Sequence, residues 1–216
     1  MSAVAREGAH DPIPTAVARV CAGGLVAFAT ETVYGLGADA RSVEGLARLL
    51  AWKGRAARQP VSVLVSGLPA AQALGVRLTP GARRLAAAFW PGPLTLVLRG
   101  ARGLAPGVCR EDGALGLRCS SHPLARALTL ALERAGAGPL TATSLNKTGE
   151  PPASSAASAR RLCTGASAPL LVEGAEAFAE APSSVVDLTG AEPVVLRAGP
   201  IESQSLLSAL TGQALP

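Results

Sequence analysis

The sequence predicts an α/β fold, a single domain whose short strands alternate with helices. Three observations carry that expectation. Brief apolar runs, such as Leu25-Val26-Ala27-Phe28-Ala29 after Gly23-Gly24, read as buried strands. Between them stand segments with apolar residues at helical spacing, such as Val43, Leu46, Ala47 and Leu50. The alternation then runs nearly to the C-terminus without an internal repeat.

Met1 to Pro14 lacks the apolar core of a signal peptide and reads as a loosely ordered leader. The expected division is a leader over residues 1–13 and one domain over 14–216. After the first strand, Thr30 to Asp39 reads as a polar, glycine-punctuated loop and Val43 to Trp52 as a helix. Pro60 opens a second strand, Val61 to Val65. Pro80 starts a helix running to about Trp90, where Pro91-Gly92-Pro93 breaks it. Leu94 to Leu98 and Leu115 to Arg118 follow as strands. Ser121-His122-Pro123 caps a helix to about Arg134, stopped by Gly136 and Gly138. Leu140 to Thr143 is the next strand, and Ser154 to Leu162 a short helix. Strands at Ser184 to Leu188 and Val194 to Arg197, then a helix from Ser203 to Leu210, complete the chain.

The composition narrows the function. At 49% apolar residues the chain can build a core, and at 3% aromatic that core consists of Ala, Leu and Val. A net charge of +5 favours acidic ligands such as nucleotides or RNA without deciding between them. Cys21, Cys109, Cys119 and Cys163 form no CxxC pair and His10 and His122 lie far apart, which argues against a structural zinc site. Scattered single cysteines fit reduced thiols in a cytoplasmic protein. No stretch of about 18 apolar residues is free of Arg, Glu or Pro, so no membrane span is expected.

Positive charge is written almost wholly as arginine. The two lysines, Lys53 and Lys147, both fall in segments suited to a ligand. Lys53-Gly54-Arg55-Ala56-Ala57-Arg58-Gln59 joins a point charge, forked guanidiniums and an amide, a set suited to phosphates. It lacks the Gly-Lys-Ser/Thr ending of a Walker A loop, and a solvated basic helix end has the same composition. Thr30-Glu31-Thr32-Val33-Tyr34-Gly35-Leu36-Gly37 puts hydroxyls directly after a buried strand, where ligands gather in open α/β sheets. An ordinary strand-to-helix loop could read the same way. Thr143-Ser144-Leu145-Asn146-Lys147 repeats the theme, with a plain turn as the other reading. Arg118 ends an apolar strand and offers a fork for a carboxylate. His122 reads as a helix-start residue, since nothing nearby in the sequence supplies it with a carboxylate.

In this order and spacing, these segments resemble the YrdC/TsaC family of L-threonylcarbamoyladenylate synthases. The set is Thr30-Glu31-Thr32-Val33-Tyr34-Gly35-Leu36-Gly37, Lys53-x-Arg55, Trp90-Pro91-Gly92-Pro93-Leu94-Thr95, Gly116-Leu117-Arg118 with His122-Pro123, and Ser144-x-Asn146. Pro182-Ser183-Ser184-Val185-Val186-Asp187 and Val195-Leu196-Arg197-Ala198-Gly199 complete it, so that the likeness covers about Pro14 to Leu210.

The resemblance implies a twisted mixed sheet with flanking helices around a basic concavity, in the short single-domain form. It implies that L-threonine, bicarbonate or CO2, and ATP give threonylcarbamoyl-AMP and diphosphate, with magnesium accompanying ATP and no metal held by the protein itself. The product would pass to a t6A transferase complex for t6A37 modification of tRNA. Lys53, Arg55, Gln59, Asn146, Ser154 and Arg197 are implied at ATP, with Lys53 and Arg55 closest to catalysis. Thr32, Tyr34, Arg118, Ser144 and Ser183 are implied at threonine.

The chain departs from the usual family pattern at Ala56, Leu64, Leu145 and Ser184, where proline, histidine, alanine and threonine are common. The alternatives are a non-catalytic RNA-binding module, opposed by the few aromatic platforms, and a related carbamoyl-adenylate enzyme such as the hydrogenase-maturation carbamoyltransferases. The latter carry acylphosphatase and zinc-finger regions that this sequence does not show.

Overall fold

The computed structural model describes residues 11–55, 60–174, 177 and 181–212. The helices are α1 (Pro12–Cys21), α2 (Val43–Lys53), α3 (Leu68–Ala73), α4 (Pro80–Phe89), α5 (Pro123–Arg134), α6 (Ala156–Leu162) and α7 (Ser203–Thr211). The strands are β1 (Val26–Phe28), β2 (Gly35–Gly37), β3 (Ser62–Leu64), β4 (Leu94–Arg99), β5 (Ala114–Arg118), β6 (Thr141–Ser144), β7 (Leu170–Leu171), β8 (Ser184–Asp187) and β9 (Val194–Arg197). Among the described residues these strands form one mixed sheet in the order β7-β1-β2-β6-β3-β5-β4-β8-β9.

The α/β expectation holds, with four elements beyond those expected. α1 begins at Pro12, inside the stretch read as leader. Asp11 caps it by accepting from the Ile13 N–H at 3.0 Å, and Ala16 and Val20 are buried. β2 occupies Gly35-Leu36-Gly37, which the sequence reading assigned to a loop. Two glycines in three residues carry no strand signal, and tertiary pairing with both β1 and β6 overrides local propensity. α3 and the two-residue β7 are too short for periodicity to mark. The short helix after Pro151-Pro152 starts two residues later than expected, capped by Ser155 in a reciprocal pair with Ser158.

The two faces of the sheet have different fates. On one, Val63, Leu94, Leu96, Leu98, Leu115, Leu117 and Val186 join residues of α4 and α7 in the largest apolar cluster. Residues of opposite parity on these strands alternate to the other face. At the β1 side, α1 and α5 cover that second face, packing Phe28 and Leu64 against Ala125, Leu128 and Leu132. Leu64 is therefore a core residue here. Farther along, Ser62, Gly116, Val97 and Val185 are only half-buried, and the sheet opens into a concavity.

Candidate functional site

Register brings the site residues together. Arg118 of β5 lies opposite Thr95 of β4, Thr95 opposite Val185 of β8, and Val185 opposite Arg197 of β9. One row across the sheet thus carries both guanidiniums, although they are distant in sequence. Gly116 lies beside this row. A Cβ there would come within 2.6 Å of the Ser62 hydroxyl and 3.4 Å of the Thr95 methyl, so glycine leaves the concavity floor open.

The resulting cavity of about 180 Å³ is lined by Thr32, Arg55, Ser62, Thr95, Thr143 and Ser183 among others, with Arg118 and Arg197 in its wall. It gathers Thr32, Arg55, Arg118, Ser183 and Arg197 from the residues expected at ATP or threonine.

The hydroxyl end is tightly ordered. Arg118 donates from Nη2 to Thr32 Oγ1 at 2.7 Å and reaches Thr30 Oγ1 at 3.5 Å. Thr30 and Thr32 hydroxyls share a bond of 2.9 Å, and Thr30 donates to the Val33 carbonyl at 2.7 Å. Arg118 also forms an ion pair with Glu31 at 3.1 Å, and Ser120 donates to the other Glu31 oxygen. Burial opposes ionisation of Glu31, but the Arg118 charge and the Ser120 hydrogen bond outweigh it and hold the carboxyl below its ordinary range. Glu31, Thr30, Thr95 and Ser120 had been given no role from sequence. For Glu31 the available signal was its place between the two threonines.

At the opposite wall, Ser183 is buried and shares a hydrogen bond of 2.9 Å with Thr95. Arg197 donates to the Ser183 carbonyl at 2.8 Å and hydroxyl at 3.0 Å. Although Arg197 as a residue is exposed, its guanidinium end is desolvated. That burial, then the like charge of Arg118, pushes it below the ordinary arginine value. A Cβ on Gly199 would lie 2.3 Å from the Ser184 nitrogen and 2.7 Å from the Pro182 carbonyl oxygen, so glycine is what lets the chain leaving β9 lie against the Ser183 turn.

The basic loop after α2 divides in function. Arg55 faces the cavity, donating to Thr143 Oγ1 at 3.4 Å and the Pro60 carbonyl at 3.1 Å, with Nε buried and without a hydrogen-bond partner. Lys53, the last residue of α2, is buried. Its ammonium donates to the carbonyls of Ser144 at 2.6 Å and Asn146 at 2.9 Å, and to Asn146 Oδ1 at 3.2 Å. Burial, then repulsion from Arg55 and Lys147, lowers its pKa from 10.5 to about 8. Lys53 therefore fastens the Ser144-Leu145-Asn146 loop to the end of α2.

Ser144 donates to Asn146 Oδ1 at 2.5 Å, and the Asn146 amide donates to the carbonyls of Lys147 at 2.8 Å and Glu150 at 2.7 Å. Leu145 is fully buried against Tyr34, Leu36 and Leu49 and anchors the loop. Lys147 turns outward, its ammonium 4.0 Å from the Trp52 ring centre.

Of the described residues expected at ATP or threonine, Lys53, Ser144, Asn146, Tyr34 and Ser154 do not line this cavity. Tyr34 is 1% exposed and lines a separate cavity with Ala156, Arg160 and Glu173. Ser154 is exposed at the start of α6. Gln59 lies outside the described residues. His122 is the N-cap of α5, its Nδ1 accepting from the Leu124 N–H at 3.2 Å, as the helix-start reading expected. Among the described residues no group of three or more His, Cys, Asp or Glu is placed to hold a metal ion, and no helix is long and apolar enough to cross a membrane.

Comparison with known proteins agrees with the fold. The Sua5/YciO/YrdC family model, described as "Telomere recombination", matches residues 19–199. A Mycobacterium tuberculosis protein is 38% identical over 198 residues, covering 92% of this chain and 88% of its own length. The threonylcarbamoyl-AMP synthase of Thiobacillus denitrificans is 34% identical over 187 residues, covering 87% of this chain and 95% of its own. The structure of Pyrococcus abyssi Sua5 complexed with L-threonine superposes with a TM-score of 0.84 at 32% identity over 93% of this chain. The present chain spans only 57% of that protein's length.

Proposed function

We propose that this chain, which belongs to the Sua5/YciO/YrdC family, is a threonylcarbamoyl-AMP synthase. The observation that carries the reading is the pairing of two kinds of subsite in one cavity. Arg118, Thr32 and Ser183 offer a fork and hydroxyls suited to a hydroxy amino acid, while Arg55 and Arg197 stand beside them as cations for phosphate. Relatives named for this activity support it.

The chemistry asks little of the protein in covalent terms. The threonine amine attacks CO2, forming an N–C bond and losing a proton. The carbamate oxygen then attacks the α-phosphorus of ATP, and the bond to the β-phosphate breaks to release diphosphate. The nucleophile comes from the substrate, so catalysis consists of alignment and charge stabilisation.

In this reading Arg118 takes the threonine carboxylate, and Thr32 and Ser183 hold its polar atoms. Arg55 and Arg197 bind the phosphates, with Gln59 and Ser154 as further nucleotide contacts. Lys53 acts through the loop, holding Ser144 and Asn146 where substrates meet. Tyr34 supports that loop from behind, its carbonyl accepting from the Leu145 N–H at 2.8 Å. Magnesium enters as part of the substrate, on the ATP phosphates. The product passes to a t6A transferase complex acting on tRNA in the cytoplasm.

The test is diphosphate release from ATP measured with threonine, bicarbonate, both or neither. Release that needs both supports the synthase. Steeply salt-dependent RNA binding without turnover would support the RNA-binding module instead, and turnover with carbamoyl phosphate in place of threonine and bicarbonate would support a carbamoyl-adenylate enzyme.

A further inference from the structure

We infer that Glu31 is a positioning residue that makes the Arg118 subsite selective for a zwitterionic amino acid over a phosphate anion. The inference rests on the synthase reading and adds to it the means by which one basic cavity keeps two ligands apart.

Three guanidiniums line the cavity, from Arg55, Arg118 and Arg197. Of these three, only Arg118 has a carboxylate partner among the described residues, Glu31 at 3.1 Å. The side chains of this pair are 11% and 7% exposed, respectively. Glu31 Oε1 and Arg118 Nε are both buried without an aligned hydrogen bond, so charge is the main link between the two groups. The second Glu31 oxygen is held by Ser120, whose hydroxyl oxygen also accepts from the His122 N–H at 3.2 Å. The carboxylate is thus fixed behind Arg118 and acts on a ligand through it.

The consequence is a difference in net charge between the Arg118 subsite and the parts of the cavity lined by Arg55 and Arg197. Arg118 and Glu31 sum to zero, whereas Arg55 and Arg197 do not face a carboxylate among the described residues. A zwitterion is itself neutral. Its carboxylate accepts from Arg118 while its ammonium meets surroundings that Glu31 has made less positive. A phosphate or diphosphate presents only negative charge and meets the buried carboxylate as repulsion, which is discrimination by an unfavourable contact. Diphosphate is produced beside this subsite, and without Glu31 it would meet a third uncompensated arginine.

The experiment is diphosphate product inhibition against threonine at fixed ATP, with titration calorimetry of inorganic diphosphate into the enzyme with and without threonine. In the wild type, diphosphate does not compete with threonine. In Glu31→Gln it does, with the inhibition constant against threonine lowered at least about tenfold, as expected when one close charge repulsion is removed. Glu31→Asp, which keeps the charge, restores the wild-type pattern. Ser120→Ala frees one carboxylate oxygen and gives a smaller shift in the same direction, which supplies the test if Glu31→Gln does not fold. Absence of competition in both variants, with a wild type that releases diphosphate in a threonine-dependent way, overturns this inference alone. A wild type without threonine-dependent release overturns the synthase reading and this inference with it.

Discussion

Arg118 and Arg197 stand on the same row of the sheet and line one cavity, and are nevertheless different reagents. Arg118 is buried, tied to Thr32 at 2.7 Å and paired with Glu31. Arg197 sits on an exposed edge strand, held by two oxygens of Ser183 and by no carboxylate among the described residues. A compensated guanidinium retains its directional donors but little net field, which suits one end of a zwitterion. An uncompensated one retains its field, which suits a polyphosphate. The partner behind the arginine, more than the arginine itself, sets the ligand.

The sharpest way to break the contrast is to delete each arginine. Arg118→Ala leaves Glu31 buried without its counter-ion, so stability falls by about 3–5 kcal/mol in chemical denaturation. Threonine-dependent kcat/KM falls by about 10²–10³. Arg197→Ala strands no buried charge and leaves only the Ser183 carbonyl and hydroxyl short of a donor, so stability falls by about 1–2 kcal/mol, while kcat/KM for ATP falls by about 10². Equal stability losses in the two variants would erase the distinction. Gly199→Ala tests the weaker anchor from the backbone side. With a Cβ 2.3 Å from the Ser184 nitrogen the turn must shift, at a cost of about 1–3 kcal/mol. Displacing Ser183 and Arg197 together lowers turnover by about tenfold, with binding of threonine least affected at its Arg118 end.

The same contrast explains what could be read from sequence. Arg118 and Thr32 were legible because a charged residue ending an apolar strand and hydroxyls following another are local signals. So was the bland role of His122, as a helix cap. The partner Glu31 was not legible as such, because its meaning depends on a contact across 87 positions of sequence that only the fold makes. Lys53 was read as a phosphate ligand for the same reason. Lysine beside arginine in a loop looks like an anion site until the carbonyls of Ser144 and Asn146 arrive from β6. β2 escaped notice because its pairing is tertiary, and Tyr34 was placed at threonine although it lines a separate cavity. Local chemistry was visible, whereas the second member of each long-range pair was not.

The smallest effect concerns Lys53, and its two signs run in opposite directions. Its pKa in the folded protein, about 8, lies below the ordinary 10.5, because burial and the neighbouring cations Arg55 and Lys147 disfavour the ammonium. Below about pH 8 the group is charged in both folded and unfolded chains, and the folded state bears the full penalty of holding it. Between pH 8 and 10.5 the folded chain releases this proton before the unfolded one does, so the penalty lifts and this group alone adds stability as pH rises through that window. The loop it fastens loses a charged donor over the same range. ATP affinity, followed by a fluorescent nucleotide, therefore weakens by roughly threefold above pH 8, a small change of the kind one altered hydrogen bond gives. Lys53→Arg keeps its charge throughout and abolishes that alkaline step, whereas a step that persists in Lys53→Arg assigns the titration to another group.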